Sequence, residues 1–375
     1  MITNGSDYFL IADKKGAAWN FACDVYNSIR KREDAAFAER KTSFIEGVCG
    51  LHSDSGERSL VERIFDQSGR QFGGSVNLIP LEVKNHRDGE HVPHVTENIR
   101  GGDCYIIHDG NLSPDRWLVQ GLTTIDAIKD ADSRTLVTPY TKFMRQDRRD
   151  KARTSVTTRV LSQCLDITGN KILTVDVHNK ATEALYRQST FEALHSFPTV
   201  TAYISENHPE VLGNLVVVSP DVGGGERAEK YGNWLGTEEV VVGVKTRSAP
   251  GEIKELRFPT NVDFTGKYVL IVDDILDSGG TMSKAALVAK GLGARAVYGY
   301  CTHGLFTEGY EMLKPFERMF ISNSIRQPYM KGDKLPQIAQ DKLTIIPFDD
   351  LFGEAIYRIH NKMSISDLFR KKIPA

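Results

Sequence analysis

Residues Tyr268–Thr281, YVLIVDDILDSGGT, run from an apolar stretch into two adjacent carboxylates, Asp273 and Asp274, and then turn through Gly279 and Gly280 into an amphipathic segment. Glycines let successive backbone N–H groups converge, and the N-terminus of the helix that follows adds partial positive charge. A phosphate monoester can therefore be held there without a lysine. Ser278 and Thr281 add hydroxyl donors. The two aspartates would repel a phosphate that faced them, but their oxygens suit the vicinal hydroxyls of a sugar, which donate hydrogen bonds. A phosphorylated ribose meets both requirements. The plainer alternative is a strand-to-helix turn with an aspartate cap.

Other polar residues fall at comparable places. Thr138–Arg153, TPYTKFMRQDRRDKAR, gathers Arg145, Arg148, Arg149 and Arg153, and guanidinium groups suit a triphosphate as well as they suit a solvated face or a small nucleic-acid patch. Ile172–His178, ILTVDVH, closes an apolar run with Asp176 and His178. Val216–Gly225, VVVSPDVGGG, closes another with Asp221, and Lys245 and Arg247 follow the run VVVGV.

These residues need elements to hold them. From about Cys104 onward, strand-like apolar runs alternate with helix-like runs, a rhythm that implies parallel sheets covered by helices and an α/β fold. Strands are expected at Cys104–Ile107, Thr135–Thr138, Ile172–Val175, Leu215–Val218, Val240–Val244 and Tyr268–Val272. Helices are expected at Asp115–Ala131, Thr157–Ile167, Ala228–Leu235 and Met282–Leu292. The two series suggest two similar sheets, and in open parallel sheets ligands collect beyond the carboxyl ends of strands, where the residues above lie. Residues 31–74 are rich in charge, Ser and Gly and read as an insertion or surface elaboration, with a helix near Leu60–Phe65.

A chain of 375 residues exceeds one ordinary core and suits two domains. With 40% hydrophobic and 26% charged residues the composition is that of an ordinary globular protein, and 47 basic against 49 acidic residues exclude a polycation that coats nucleic acid or an anionic membrane. Cys23, Cys49, Cys104, Cys164 and Cys301 are odd in number and contain no C-x-x-C pair, which points to a reducing compartment. No long apolar stretch suggests a leader or a membrane span, so a cytoplasmic protein is expected.

The arrangement YVLIVDDILDSGGT resembles the phosphoribosyl-diphosphate binding motif of type I phosphoribosyltransferases and of ribose-phosphate pyrophosphokinases (PRPP synthetases). The remaining motifs resemble the synthetases in particular, in order from about Asn77 to Phe369. In the RQD segment Arg145 and Gln146 match nucleotide-contacting residues. His178 matches the histidine of a D-L-H motif that contacts the metal–ATP complex, and Asp221 the aspartate of S-P-D-x-G-G that helps to hold magnesium. Lys245 and Arg247 match the K-x-R of a mobile catalytic loop. Asp88-Gly89-Glu90 resembles a loop that clamps adenine in a neighbouring subunit, with His86 where the family usually has a stacking phenylalanine.

The resemblance implies two type I phosphoribosyltransferase-like domains, each a mainly parallel sheet flanked by helices. They are expected at 1–194 and 195–351, with a C-terminal helix at about 352–375 packing back on the first. It implies magnesium-dependent transfer of the β,γ-diphosphate of ATP to the anomeric hydroxyl of ribose 5-phosphate. Asp273 and Asp274 would orient the sugar, and Asp277, Ser278, Gly279, Gly280 and Thr281 would hold its phosphate. Lys245 and Arg247 would supply transition-state charge, and the active form would be a homo-oligomer, a hexamer or built of dimers, with no nucleic-acid or membrane partner. Three alternatives stay open at this point. ADP-ribose also presents a phosphorylated ribose with a free anomeric hydroxyl, a phosphoribosyltransferase would use the same loop without an ATP site, and a catalytically silent regulatory subunit would keep the fold.

Overall fold

The structure, a computed structural model, describes residues 7–49, 76–149, 151–249, 252–327 and 334–370. The chain divides into two compact units. The first comprises Met1–Leu173, Ala181–Glu192 and Asp349–Ile365, and the second Thr174–Lys180, Ala193–Phe348 and Ser366–Ala375.

The first unit is built on strands β1 (Tyr8–Asp13), β2 (Val76–Asn85), β3 (His91–Val95), β4 (Asp103–Ile107), β5 (Ser133–Val137), β6 (Lys171–Val175) and β7 (Thr190–Leu194), in the spatial order β3-β2-β1-β4-β5-β6-β7. The pairs β1–β2, β1–β4, β4–β5 and β5–β6 are parallel, while β2 and β3 form an antiparallel hairpin. Cys104, Tyr105, Ile106 and Ile107 are buried in succession, as a strand covered on both faces requires. The helices of this part are α1 (Ala18–Cys49), α2 (Pro114–Ala127), which opens on a proline suited to a first helical turn, and α3 (Thr157–Asp166).

One expectation changes here. The helix that begins at Ala18 runs through 31–49, so the first part of the stretch read as an insertion is helix. Ala, Glu, Arg and Lys dominate the stretch KREDAAFAERK and are good helix formers, which a search for apolar period alone does not register. Residues 50–75, including the helix expected at Leu60–Phe65, lie outside the described residues.

The second unit contains β8 (Leu215–Ser219), β9 (Val240–Val242), β10 (Val244–Ala249), β11 (Glu252–Arg257), β12 (Tyr268–Leu276), β13 (Ala296–Gly304), β14 (Arg318–Ser322) and β15 (Leu343–Ile346), with α4 (Phe197–Asn207), α5 (Gly225–Leu235), α6 (Gly280–Gly291) and α7 (Gln337–Lys342). Six strands form one parallel sheet, ordered β15-β14-β13-β12-β8-β9. β10 and β11 form a separate antiparallel ribbon with register shifts around Arg247. Its core joins Val216 and Val218 to Val269 and Ile271, and Ala285, Ala286 and Ala289 let α6 lie close to the sheet. β12 sits between β8 and β13, so its carboxyl end opens where the strand order reverses, the place such sheets reserve for ligands. Among the described residues, no helix is long and apolar enough to cross a membrane.

Helix α8 (Asp349–His360) belongs to the first unit and crosses α1. It is shorter than the helix expected at 352–375, and Ser366–Phe369 form a single tight turn in the second unit, with the Phe369 ring 4.9 Å from that of His195. Ser28 Oγ donates to Asp350 Oδ1 at 2.7 Å, Arg32 pairs with Glu354, and His360 Nδ1 lies 2.9 Å from Asp103 Oδ2. The helices touch at Gly353, where an added Cβ would lie 2.5 Å from Ser28 Oγ and 2.8 Å from Ser28 Cβ. Gly353→Val is therefore expected to lower stability by about 1–3 kcal/mol through overpacking, read as a fall in the urea midpoint with an unchanged denaturant slope.

Candidate active site

In the second unit, β12 carries its apolar run between β8 and β13 and continues as strand through Asp273 and Asp274, past the end expected at Val272. The carboxylates are thus fixed by sheet pairing. Asp273 pairs in register with Cys301, and the backbone N–H of Asp274 donates to Asp273 Oδ1 at 2.9 Å. Asp274 is only 3% exposed.

Two partners meet the pair. His178 Nδ1 is hydrogen bonded to Asp274 Oδ2 at 2.7 Å, and Arg227 of α5 places Nη1 at 3.3 Å from Asp273 Oδ1 and Nη2 at 3.4 Å from Asp274 Oδ1. Burial, and next the charge of Asp274, pushes Asp273 up to about 8, against the pull of Arg227. Burial opposes the charge of Asp274 too, but the hydrogen bond with His178 and the Arg227 guanidinium hold its carboxyl well below the usual carboxylate range.

Asp221 follows β8 and caps the short turn Val222–Gly224, its Oδ1 accepting from Gly224 N–H at 3.2 Å. Its Oδ2 accepts from Lys245 Nζ at 2.7 Å. Burial works against the charge on Asp221, yet Lys245 keeps its carboxyl below the ordinary value. Lys245 lies on β10, part of a ribbon where the sequence suggested a loop, and Arg247 lies on the same strand opposite Ile253. The Arg247 side chain lies outside the described part of the structure.

Beyond β12 the chain turns through Asp277 and Ser278 to Gly279, whose φ of 77° is left-handed, and enters α6 at Gly280. Asp277 Oδ1 accepts from Thr307 Oγ1 at 2.6 Å, which steadies the turn. No acidic residue occupies the first turn of α6 and no side chain caps it, so its N-terminal amides present the positive end of the helix dipole. Ser278, Gly279, Gly280 and Thr281 are gathered there.

The turn bearing His178 is held from below. Asp176 has a φ of 42°, a conformation costly for a residue with a side chain, and its carboxylate accepts from Ser196 N–H at 3.2 Å and Thr302 Oγ1 at 2.6 Å. Asp176 was singled out by sequence, but its partners Ser196 and Thr302, and Arg227, were not. Arg227 had one legible signal. It is a cation in the first turn of a helix that opens on glycines, where the helix dipole favours an acid.

The nucleotide candidates of the first unit lie on two loops. His86, Asp88 and Glu90 form the exposed tip of the β2–β3 hairpin, closed by His86 N–H to Glu90 O at 2.7 Å and Glu90 N–H to Asp88 Oδ1 at 3.1 Å. Arg145 and Gln146 are exposed on the loop after β5. That loop turns at Phe143, with a φ of 64°, and is tied down by Thr158, whose Oγ1 donates to Phe143 O at 2.8 Å and whose N–H donates to Gln146 O at 3.2 Å.

Residues 50–169 match the family described as the N-terminal domain of ribose phosphate pyrophosphokinase, and residues 214–370 match the phosphoribosyl synthetase-associated domain. The ribose-phosphate pyrophosphokinase of Gloeobacter violaceus is 33% identical over 78% of this chain and 86% of its own length. That of Porphyromonas gingivalis is 32% identical over 86% of this chain and 98% of its own. The crystal structure of phosphoribosylpyrophosphate synthetase from Mycobacterium smegmatis shares the fold, with a TM-score of 0.71 at 21% identity over 95% of this chain and 99% of that one.

Proposed function

The chain belongs to the ribose-phosphate pyrophosphokinase family, and from that premise we propose that it transfers the β,γ-diphosphate of ATP to the anomeric hydroxyl of ribose 5-phosphate, giving 5-phosphoribosyl 1-diphosphate and AMP. The observation that carries the reading is the cluster at the carboxyl end of the second sheet. An acidic pair lies beside an uncapped helix N-terminus, with His178 hydrogen bonded to one carboxylate and Lys245 drawn to Asp221.

Each part has a chemical task. Asp273 and Asp274 accept hydrogen bonds from the 2- and 3-hydroxyls, which fixes the ring. The amides of Gly279, Gly280 and Thr281, with the hydroxyls of Ser278 and Thr281, hold the 5-phosphate, and Asp277 keeps the turn in shape through Thr307. The 1-hydroxyl then attacks the β-phosphorus and gives up its proton to solvent, the bond from that phosphorus to the oxygen of the α-phosphate breaks, and AMP leaves. Lys245 and Arg247 neutralise the charge that grows on the equatorial and departing oxygens.

Arg145 and Gln146 bind the nucleotide. The hairpin tip, with His86, Asp88 and Glu90, serves the adenine of a neighbouring copy, which makes the active form a homo-oligomer. The free thiols of Cys23, Cys104, Cys164 and Cys301 suit the cytoplasm.

Among the described residues no group of three or more side chains is placed to hold a metal ion. Magnesium prefers a few protein ligands completed by phosphate oxygens and water, so it needs no larger cluster. His178 and Asp221 are the residues that would hold it. When bound, magnesium neutralises the polyphosphate.

A direct check is to incubate the protein with magnesium-ATP and ribose 5-phosphate and separate the nucleotides. AMP and a sugar two phosphates heavier are expected, whereas ADP with a singly phosphorylated product would refute the reading. The same account makes Gly243 necessary. An added Cβ there would lie 2.8 Å from Pro220 O and 3.2 Å from Ser219 O, backbone atoms that cannot swing away, so β10 would be pushed off the loop bearing Asp221. Gly243→Ala is expected to lower kcat about 10- to 100-fold, since a displacement near one ångström is enough to misplace a charged group. Steady-state turnover under saturating substrates measures it.

A further inference from the structure

Two neighbouring carboxylates at the buried end of a strand repel one another and can swing apart unless something fixes them. In this protein one guanidinium spans both, with Nη1 at 3.3 Å from Asp273 Oδ1 and Nη2 at 3.4 Å from Asp274 Oδ1, while the second oxygen of Asp274 meets His178 Nδ1 at 2.7 Å. The Arg227 side chain is 19% exposed, and space for it is provided by Gly224, where an added Cβ would lie 3.3 Å from Nη1 and 2.5 Å from Ser219 Oγ. Its position in the first turn of α5 is unfavourable for a cation as far as the helix is concerned. The compensation comes from the acidic pair.

We infer that Arg227 is the positioning residue of the sugar subsite: its planar fork locks Asp273 and Asp274 into one arrangement, so that both can receive the vicinal hydroxyls of ribose 5-phosphate. It does so without touching substrate. A lysine keeps the charge but offers a single nitrogen, which cannot span two carboxylates in the same way. The inference rests on the reading that the acidic pair receives the sugar.

The test is steady-state kinetics of wild type, Arg227→Lys and Arg227→Met, with ATP and ribose 5-phosphate each varied at saturation of the other, and circular dichroism to establish folding. Loss of a charged hydrogen-bonding partner should raise the KM for ribose 5-phosphate about 10-fold in the lysine variant and about 100-fold in the methionine variant. The KM for ATP and kcat should stay within about 3-fold of wild type, a split that a general loss of structure would not produce. If the methionine variant does not fold, the lysine variant decides. An unchanged KM for ribose 5-phosphate, a rise of both KM values together, or a fall in kcat alone overturns the inference. Absence of AMP formation by wild type overturns the parent reading instead, and the inference falls with it.

Discussion

Lys245→Ala is expected to retain its fold and its KM for ribose 5-phosphate while losing kcat by about 10²- to 10³-fold, the usual consequence of deleting a group that stabilises charge only in the transition state. The ammonium sits 2.7 Å from Asp221 Oδ2 with its side chain 10% exposed, so it is held in a defined place before any substrate arrives. Its removal leaves Asp221, 40% exposed, able to find water, so the carboxylate is not stranded without a partner. Catalysis and stability should therefore separate. Circular dichroism melting and steady-state rates on the same preparation check both, and a loss confined to KM would move Lys245 out of the transition state.

Gly279→Ala should act on the other substrate. The φ of 77° is one that an alanine adopts at a cost of about 1–2 kcal/mol, and the new methyl would meet Met312 Cγ at 2.5 Å and Met312 Cβ at 3.0 Å. The distal part of the methionine can rotate away, but its Cβ cannot, so the turn must shift and carry the amides at the start of α6 with it. A rise in the KM for ribose 5-phosphate of about 10- to 100-fold is expected, with the KM for ATP little changed, because phosphate held by backbone amides depends on their convergence. Isothermal titration with ribose 5-phosphate measures the loss without requiring turnover.

The α/β class was legible because buried parallel strands are written as unbroken apolar runs. Leu215–Val218 and Tyr268–Val272 could be read as such at once. Three features escaped that reading. Residues 31–49 are helical through the propensity of Ala, Glu, Lys and Arg, which leaves little apolar period. The β2–β3 hairpin and the β10–β11 ribbon are short antiparallel pieces rich in charge, and a strand pairing of this sort is decided by the partner strand, which local pattern does not reveal. The pairing of His178 with Asp274 joins positions 96 residues apart, and Arg227 reaches β12 from a helix 46 residues earlier, so only the folded sheet brings these charges together. Composition can supply candidates for a site, but the counter-ions that fix their geometry come from elsewhere in the chain.

The central claim concerns which phosphorus the sugar oxygen attacks, and ATP carrying ³²P at the β-position tests it most directly. With magnesium and ribose 5-phosphate present, the label should move into the sugar product while the nucleotide released is unlabelled AMP. Label retained in ADP, or released as inorganic phosphate with the sugar unchanged, would contradict the account.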